Sequence, residues 1–228
     1  MLRSHVDRHI EAMRAACARH GVALPGFADW TPAQFAAAGP GATRIRDGGL
    51  GWNVAEFAPG EFERAGLVIF TTRMGDHAKL SSGRGRLYGE KALFARDRQT
   101  TPHHYHRVKT EDVINRGGGR FVVEIVGVDR AGEPTGEPVR LFKDEREIEV
   151  APRGRVVLDP GESLVLEPYV AHGFRAEGGD ALAVEISLAN DDANDNYFLP
   201  PLGPQAGIVE DAPARFVTVA DYFRLLAR

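Results

Sequence analysis

Apolar positions in the N-terminal part of the chain recur with the period of an α-helix. Ser4 followed by Asp7 resembles a helix-capping box, and Gly21 is a typical terminator, so residues 4–20 are predicted to form a helix. Its buried face carries apolar side chains at spacings of four, three and four residues, namely Val6, Ile10, Met13 and Cys17.

A second helix start follows at Thr31, with proline next and Gln34 at the third helical position. This helix is predicted to be short and to end near Gly39 and Pro40. Neither helix carries side chains with evident chemistry. We therefore expect residues 1–45 to pack on the outside of the main body or against a partner subunit.

From about Leu50 the pattern changes to short β-branched and aromatic runs separated by turn residues. Many short strands at regular spacing favour an antiparallel sandwich or barrel over a parallel α/β sheet. Glycine-rich turns are predicted at 117–119 and 177–180, a late strand at 216–219 and a closing helix at 221–227. The other predicted strands are 66–72, 87–94, 99–106, 120–129, 138–142, 147–150, 155–159, 163–167, 172–176 and 181–188.

Length and charge narrow the classes of function. With 228 residues, 43% of them hydrophobic, the chain is predicted to be one domain, with a barrel over 50–220 and the helical segment packed on it. The 28 basic and 32 acidic residues give a net charge of −4 without a basic block, so nucleic acid is not an expected partner. A single cysteine and the lack of a membrane-length apolar run predict a cytoplasmic protein without membrane contact.

The segment from Thr101 to Glu111 combines histidines and a carboxylate at short spacing. His104 and His106 point to the same face of an extended strand, and Glu111 can return to that point from the following turn. His172 follows further on, after a turn with proline and glycine. Three imidazoles and one carboxylate suit a first-row transition metal with positions open for water or substrate. An isolated histidine pair is as often structural, but the glutamate and third histidine favour a metal site.

These two segments resemble the two motifs of the cupin superfamily, which implies a double-stranded β-helix with a metal at its open mouth. A narrower resemblance, to the D-lyxose ketol-isomerase family of cupin sugar isomerases, covers most of the chain. Its most specific block is Glu-Asp-Val-Ile-Asn-Arg-Gly-Gly-Gly at residues 111–119. Further matching segments are 50–54, 89–91, 101–106 and 190–196.

The family resemblance implies a manganese-dependent interconversion of aldose and ketose, with other first-row divalent ions as alternatives. The implied pairs are D-lyxose with D-xylulose and D-mannose with D-fructose, and the implied assembly is a homodimer. One departure is His103, where the family more usually has an apolar residue. Alternation along the strand points His103 away from the metal, so we do not count it as a ligand.

The implied chemistry needs a base. Moving a sugar carbonyl between C1 and C2 removes a proton beside a carbonyl and gives a cis-enediolate, which a metal stabilises as a Lewis acid. The ligands' lone pairs are occupied, so another side chain must move the proton. Glu185, a carboxylate in an apolar run, is the first candidate, with a buried structural ion pair as the alternative. Lys91 and Lys109 are further candidates, although Lys109 could equally be a solvated loop residue.

Candidates for sugar binding lie around the predicted pocket. Asp191, Asp192 and Asp195 follow the strand of Glu185, and we expect one of them to bind hydroxyls while the others satisfy turn backbone. Asp191 and Asp195 are the candidates for sugar binding. Tyr169 and Trp52 are candidates for the pocket floor, with core packing as the alternative for Trp52.

The sequence thus predicts a mainly β cupin barrel that isomerises a small aldose. Two rival functions stay open at this stage. An oxygen-using cupin enzyme can have a similar ligand set, and a sugar-binding cupin without catalysis is the non-enzymatic alternative. The carboxylates and lysines around the pocket favour a sugar over an aromatic or thiol substrate, and the N-terminal helices show no basic recognition surface.

Overall fold

The structure, a computed structural model, describes residues 1–192, 194–203 and 207–226. Ala227, the last residue of the predicted closing helix, lies outside the described residues, as do Ala193, residues 204–206 and Arg228. The α-helices are α1 (Arg3–Arg19), α2 (Pro32–Ala37), α3 (Pro40–Asp47) and α4 (Tyr222–Leu226). The strands are β1 (Gly51–Glu56), β2 (Gly66–Arg73), β3 (Tyr88–Ala95), β4 (His103–Tyr105), β5 (Glu111–Gly127), β6 (Val139–Lys143), β7 (Arg146–Val150), β8 (Arg155–Leu158), β9 (Ser163–Leu166), β10 (Val170–Leu188) and β11 (Tyr197–Leu199).

The strands form one antiparallel sheet with a strongly non-sequential order. The main path runs β1-β2-β3-β10-β5-β9-β6-β7, and β8 adds to β5 while β4 joins β10 and β11. Strand β10 pairs with β5 along most of its length, with β3 through residues 181–188 and with β4 at His172. Strand β10 therefore joins β3, β4 and β5 within the sheet.

Strands β5 and β10 are longer than predicted, because two expected turns are bulges. Gly118 (φ 91°) and Gly179 (φ 135°) adopt backbone conformations that L side chains rarely reach. The register between the two strands shifts between Glu177 and Ala181. The glycines therefore bend the paired strands without reversing them, and the predicted turns at 117–119 and 177–180 are wrong.

Alternation along the strands separates two apolar clusters. Leu93 belongs to the cluster inside the barrel, whereas its neighbours Ala92 and Phe94 face the opposite side of the sheet. There they meet the apolar face of α1, which includes Ile10 and Met13. The N-terminal helix thus covers the outer face of β1–β3, and Cys17 is buried in this layer.

The predicted helix 4–20 is confirmed as α1, but its capping box is wrong. Leu2 occupies the N-cap position without a side-chain bond. The backbone N–H and hydroxyl of Ser4 both donate to Asp211, and the carboxylate of Asp7 accepts the backbone N–H of Arg215. Both polar groups fasten α1 to the C-terminal segment, a long-range contact that a local motif does not reveal.

The second helix begins as predicted, with Thr31 and Gln34 forming a capping box. A further helix, α3, begins at Pro40, where the sequence predicts only a helix end, because proline is also favoured at the first helical position. The predicted strand 216–219 is reduced to an isolated bridge between Thr218 and Trp52. Strands β1 and β11 were missed. In the described part of the chain no helix is long and apolar enough to cross a membrane.

Candidate metal centre and active site

Four side chains from three strands converge inside the barrel. His104 lies in β4 directly opposite His172 of β10, His106 follows the end of β4, and Glu111 opens β5. One potential ligand atom from each lies within 4.8 Å of the others. The structure therefore brings together the four residues that the sequence nominated, and the alternation that aligns His104 with His106 is the cause. His103 points away and lies 3.8 Å from Glu124.

The ligand atoms of this cluster have free lone pairs. Backbone carbonyls of Asp195 and Val170 accept from Nδ1 of His106 and His172 respectively, which leaves each Nε2 facing the cluster. Within the described residues, these two Nε2 atoms receive no hydrogen bond. The Glu111 carboxylate lies against Nε2 of His172, at 2.8 Å, and against Nζ of Lys109. Buried polar atoms without partners are uncommon. A donor set of three imidazoles and one carboxylate fits a first-row divalent ion.

Burial and charge prepare these groups for coordination. Burial, together with nearby Lys109, lowers the pKa of His106 to about 4, and burial lowers the pKa of His104 well below its usual value. Both imidazoles are therefore neutral near pH 7. Burial raises the pKa of Glu111, but Lys109 and His172 outweigh that effect and hold it well below the usual value. Glu111 is thus ionised, as a metal ligand requires.

A chain of buried ion pairs runs beside the cluster. Glu185 of β10 lies opposite Lys91 of β3, and its Oε1 is 3.3 Å from Nζ of Lys91 and 3.2 Å from Nζ of Lys109. Lys109 also contacts the carboxylate of Glu111. Its side chain is 4% exposed, so the alternative of a solvated loop lysine is wrong. Burial opposes the charge of Lys109, but Glu111 and Glu185 raise its pKa above the usual value.

A cavity of about 230 Å³ joins these two sets of residues. His104 and His106 line it together with Lys91, Lys109 and Glu185. Its volume is below the roughly 300–1,000 Å³ typical of pockets for drug-sized ligands, which indicates a small molecule. Its other walls are polar at Asn53, Thr101, Asp192 and Asn196 and largely apolar at Ala55, Phe57, Leu67, Ile69, Leu93, Pro102, Phe174 and Phe198.

The nominated pocket-floor residues lie elsewhere. Trp52 is 1% exposed and packs in the layer beneath α1, with its Nε1 donating to the carbonyl of Ala28. Its neighbour Asn53 faces the cavity instead. Tyr169 packs against Tyr105 with the ring centres 6.3 Å apart, outside the cavity lining. Both nominations are therefore wrong. Alternation along β1 places Trp52 on the outer side of the sheet, and Tyr169 packs against Tyr105 instead.

The aspartates after β10 divide differently from the expectation. Asp192 lines the cavity. The carboxylate of Asp191 accepts from Asn194, and that of Asp195 is buried against the backbone of residues 107–109. Neither lines the cavity, so the nomination of Asp191 and Asp195 as sugar contacts is corrected. Asn53, Thr101 and Asn196 were not assigned a role from sequence; strand parity alone could have nominated Asn53 once the face of Trp52 was known.

Two solved structures with a similar fold are L-ribose isomerases. The L-ribose isomerase of Acinetobacter sp. DL28, in complex with L-ribose, matches with a TM-score of 0.57 at 13% identity, covering 96% of this chain and 97% of that one. The Cellulomonas parahominis L-ribose isomerase with no ligand matches with a TM-score of 0.56 at 14% identity, covering 87% and 92%. At these identities the likeness is one of fold. It confirms the predicted mainly β cupin barrel with N-terminal helices and a short C-terminal helix.

Sequence comparison is more specific. Residues 1–222 match the family model for D-lyxose isomerase. The chain is 37% identical to the D-lyxose/D-mannose isomerase of Escherichia coli O157:H7, with 97% of this chain and 98% of that protein covered. It is also 37% identical to the D-lyxose/D-mannose isomerase of Serratia proteamaculans, over 98% and 99%. The chain belongs to the D-lyxose isomerase family, and it is a sugar isomerase.

Proposed function

We propose that this chain interconverts D-lyxose with D-xylulose, and D-mannose with D-fructose, through a cis-enediolate, using a divalent metal held by His104, His106, Glu111 and His172. The observation that carries the proposal is that ion-paired Glu185 lines the same small cavity as two of these histidines. The names of the two bacterial relatives support the sugars. Manganese is the proposed ion, and the imidazole and carboxylate set also suits other first-row divalent ions.

The residues of the cavity divide the chemical work. A bound divalent ion supplies Lewis-acid stabilisation for negative charge that develops on O1 and O2 of the sugar. Glu185, which contacts two ammonium groups, accepts the proton from C2 of the aldose and returns it to C1, while the hydroxyl proton of O2 passes to O1. Lys91 and Lys109 then face a protonated Glu185 and donate to the sugar oxygens that gain charge.

The polar residues of the cavity lining bind the sugar's remaining hydroxyls. Oδ1 of Asn196 is buried and, among the described residues, has no hydrogen-bond partner, so it is available to accept from a hydroxyl. Asp192 and Asn53 offer further acceptors. The apolar side chains of the lining limit the water that reaches the enediolate.

A matched pair of histidine variants tests the metal site. His104→Ala is expected to abolish manganese binding and ketose formation while leaving the fold intact, because the barrel core is apolar. His103→Ala removes the adjacent histidine, which points to Glu124, and is expected to retain both. Metal content of the purified proteins and ketose formed from D-lyxose and D-mannose are measured. Full activity in metal-free His104→Ala protein would refute the metal site.

Isotope transfer tests the reaction type. Isomerising D-mannose in D₂O is expected to place deuterium on C1 of the fructose, since a carboxylate base exchanges its proton with solvent. A hydride shift would leave the product unlabelled. Metal-loaded protein that binds sugar without forming ketose would instead support a non-catalytic sugar-binding cupin, and oxygen uptake with the metal-loaded protein would support an oxygen-using enzyme.

The cytoplasmic location and the homodimer are also proposals, drawn from cysteine usage and from the family resemblance. Light scattering after size exclusion is expected to give twice the chain mass of 24.8 kDa. A monomer mass at micromolar concentration would contradict the proposed assembly.

A further inference from the structure

Asp195 is a buried acidic residue that faces neither solvent nor the cavity. It lies between β10 and β11 and is 5% exposed. Its carboxylate accepts three consecutive backbone N–H groups: Arg107 at 2.6 Å, Val108 at 3.2 Å and Lys109 at 2.9 Å. In the part of the chain that the structure describes, no lysine or arginine side chain forms an ion pair with it.

These three amides have no strand partner, because they lie in the connection between β4 and β5. Buried backbone donors need acceptors, and Asp195 supplies one charged acceptor for all of them. The connection is thereby fixed at Lys109, whose ammonium contacts Glu111 and Glu185.

The backbone of Asp195 makes a second contact with the same connection. Its carbonyl accepts from Nδ1 of His106, so the hydrogen of that ring lies on Nδ1. The lone pair on Nε2 then faces the other three potential metal ligands. Partners on the outer nitrogen of a ligating histidine fix its tautomer and its orientation. One residue thus holds both a metal ligand and the lysine beside the base.

We propose that Asp195 is a positioning residue that orients His106 for metal binding and Lys109 for hydrogen bonding to the sugar oxygens. Asn196, the next residue, and Asp192 of the same loop line the cavity. Asp195 itself does not line the cavity, so its proposed role concerns the connection that carries His106 and Lys109. The proposal rests on the proposed metal-dependent function.

Asp195→Asn tests the role with little change of shape. The amide offers one acceptor oxygen and turns an NH₂ group toward backbone donors, so the connection loses part of its anchor. The manganese dissociation constant is expected to rise about tenfold to a hundredfold, the usual effect of losing such support. At saturating manganese, kcat is expected to stay about tenfold or more below that of the parent because Lys109 is misplaced. KM for D-mannose should change little, since Asp195 does not line the cavity.

Asp144→Asn is the matched control. Asp144 also accepts a backbone N–H, from Ser163 at 2.8 Å, but it lies in the turn between β6 and β7. It is expected to keep the manganese affinity and kcat of the parent protein. Affinity is measured on chelator-treated protein by titration of free manganese, with thermal unfolding recorded for each variant.

The outcomes separate the two proposals. If the parent protein binds no divalent ion, the proposed function itself fails. If the parent binds manganese and a folded Asp195→Asn protein keeps its affinity and kcat, only the positioning role is refuted; the same holds if the melting temperature alone falls. Should Asp195→Asn not fold, Asp195→Ser, which retains one small acceptor, is measured in its place, with the same expected losses and the same refuting result.

Discussion

At the scale of single residues, Glu185 is the side chain on which the proposed proton transfer depends. Glu185→Gln keeps the shape of the side chain but removes the base, so kcat is expected to fall by about two to four orders of magnitude. Manganese content should not change, because Glu185 is not one of the four clustered ligands. Initial rates with D-lyxose and D-mannose, together with metal content, measure both effects.

Glu177→Gln is the control for this substitution. Glu177 belongs to the same strand, β10, but pairs with Arg175 and Arg120 outside the cavity. Its variant is expected to keep kcat within about twofold, since it changes only partly exposed ion pairs outside the cavity. An equal loss in both variants would show that β10 is sensitive to any lost carboxylate, and unchanged kcat in Glu185→Gln would transfer the base role to Lys91 or Asp192.

Residue identity and spacing were sufficient to predict the cluster of three histidines and one glutamate. Side chains two residues apart in a strand share a face, so His104 and His106 lie together without knowledge of which face is buried. They were not sufficient for Trp52. Strand parity says that Trp52 and Asn53 face opposite sides, but only the packing of α1 on the outer side decides which one meets the cavity. The backbone contacts of Asp195 could not be predicted, because the sequence does not show which backbone amides lack a partner.

At the scale of elements, glycine-rich segments were the main source of error. Gly117–Gly119 and Glu177–Asp180 have the composition of turns, yet they bend a continuous pair of strands. A glycine-rich segment indicates that the backbone adopts positive φ values, and both turns and bulges require such values. The pairing of β5 with β10 over a long distance decides between them, and pairing is not a local property.

The bulge predicts a specific difference between two glycine variants. A Cβ at Gly118 would lie 2.1 Å from the carbonyl oxygen of Asp180, and its φ is 91°. Gly118→Ala is therefore expected to lower the free energy of unfolding by more than about 2 kcal/mol, through backbone strain and a clash with backbone that cannot simply rotate away.

Gly178→Ala separates the two contributions. Gly178 has φ 77°, but no heavy atom lies within 4 Å of the added methyl group, so only the strain of about 1 kcal/mol applies. Urea denaturation of both variants measures the difference. Equal losses would mean that β5 and β10 move apart to accept the methyl at Gly118, and that the bulge is softer than its close contacts indicate.

At the scale of the whole molecule, α1 contacts the segment before α4, and neither segment's sequence predicts this contact. Arg3 at the start of α1 is fully buried and lies 2.6 Å from Asp221, which precedes α4. A buried charge pair of this kind is costly to break, because either partner alone would be a buried unpaired charge. The family resemblance carried the overall fold, but the sequence did not reveal this closure, since arginine at a chain start normally indicates a solvated end.

The buried histidines give the whole molecule a predicted pH dependence. Burial, with Arg96 and Arg8 nearby, lowers the pKa of His9 to about 4. The ring packs on Phe62 with ring centres 4.0 Å apart, and among the described residues its ion-pair neighbour is the exposed Glu63, with Nε2 3.8 Å from Oε1. The unfolded chain binds a proton at His9 below about pH 6.5, whereas the folded chain does not until about pH 4. Stability contributed by the neutral ring is therefore lost as the pH falls through this window.

Between pH 7 and pH 5, the free energy of unfolding is expected to fall by about 1–2 kcal/mol less in His9→Gln than in the parent. Urea denaturation of chelator-treated protein measures this difference. That range lies above the ordinary pKa values of carboxyl groups, so it reports histidines. Phe62→Leu, which removes packing beside His9 without a titrating group, should shift the whole curve and keep its slope. Parallel curves for the parent and His9→Gln would mean that His9 takes up its proton in the folded protein, and that the layer between α1 and the sheet opens enough to hydrate it.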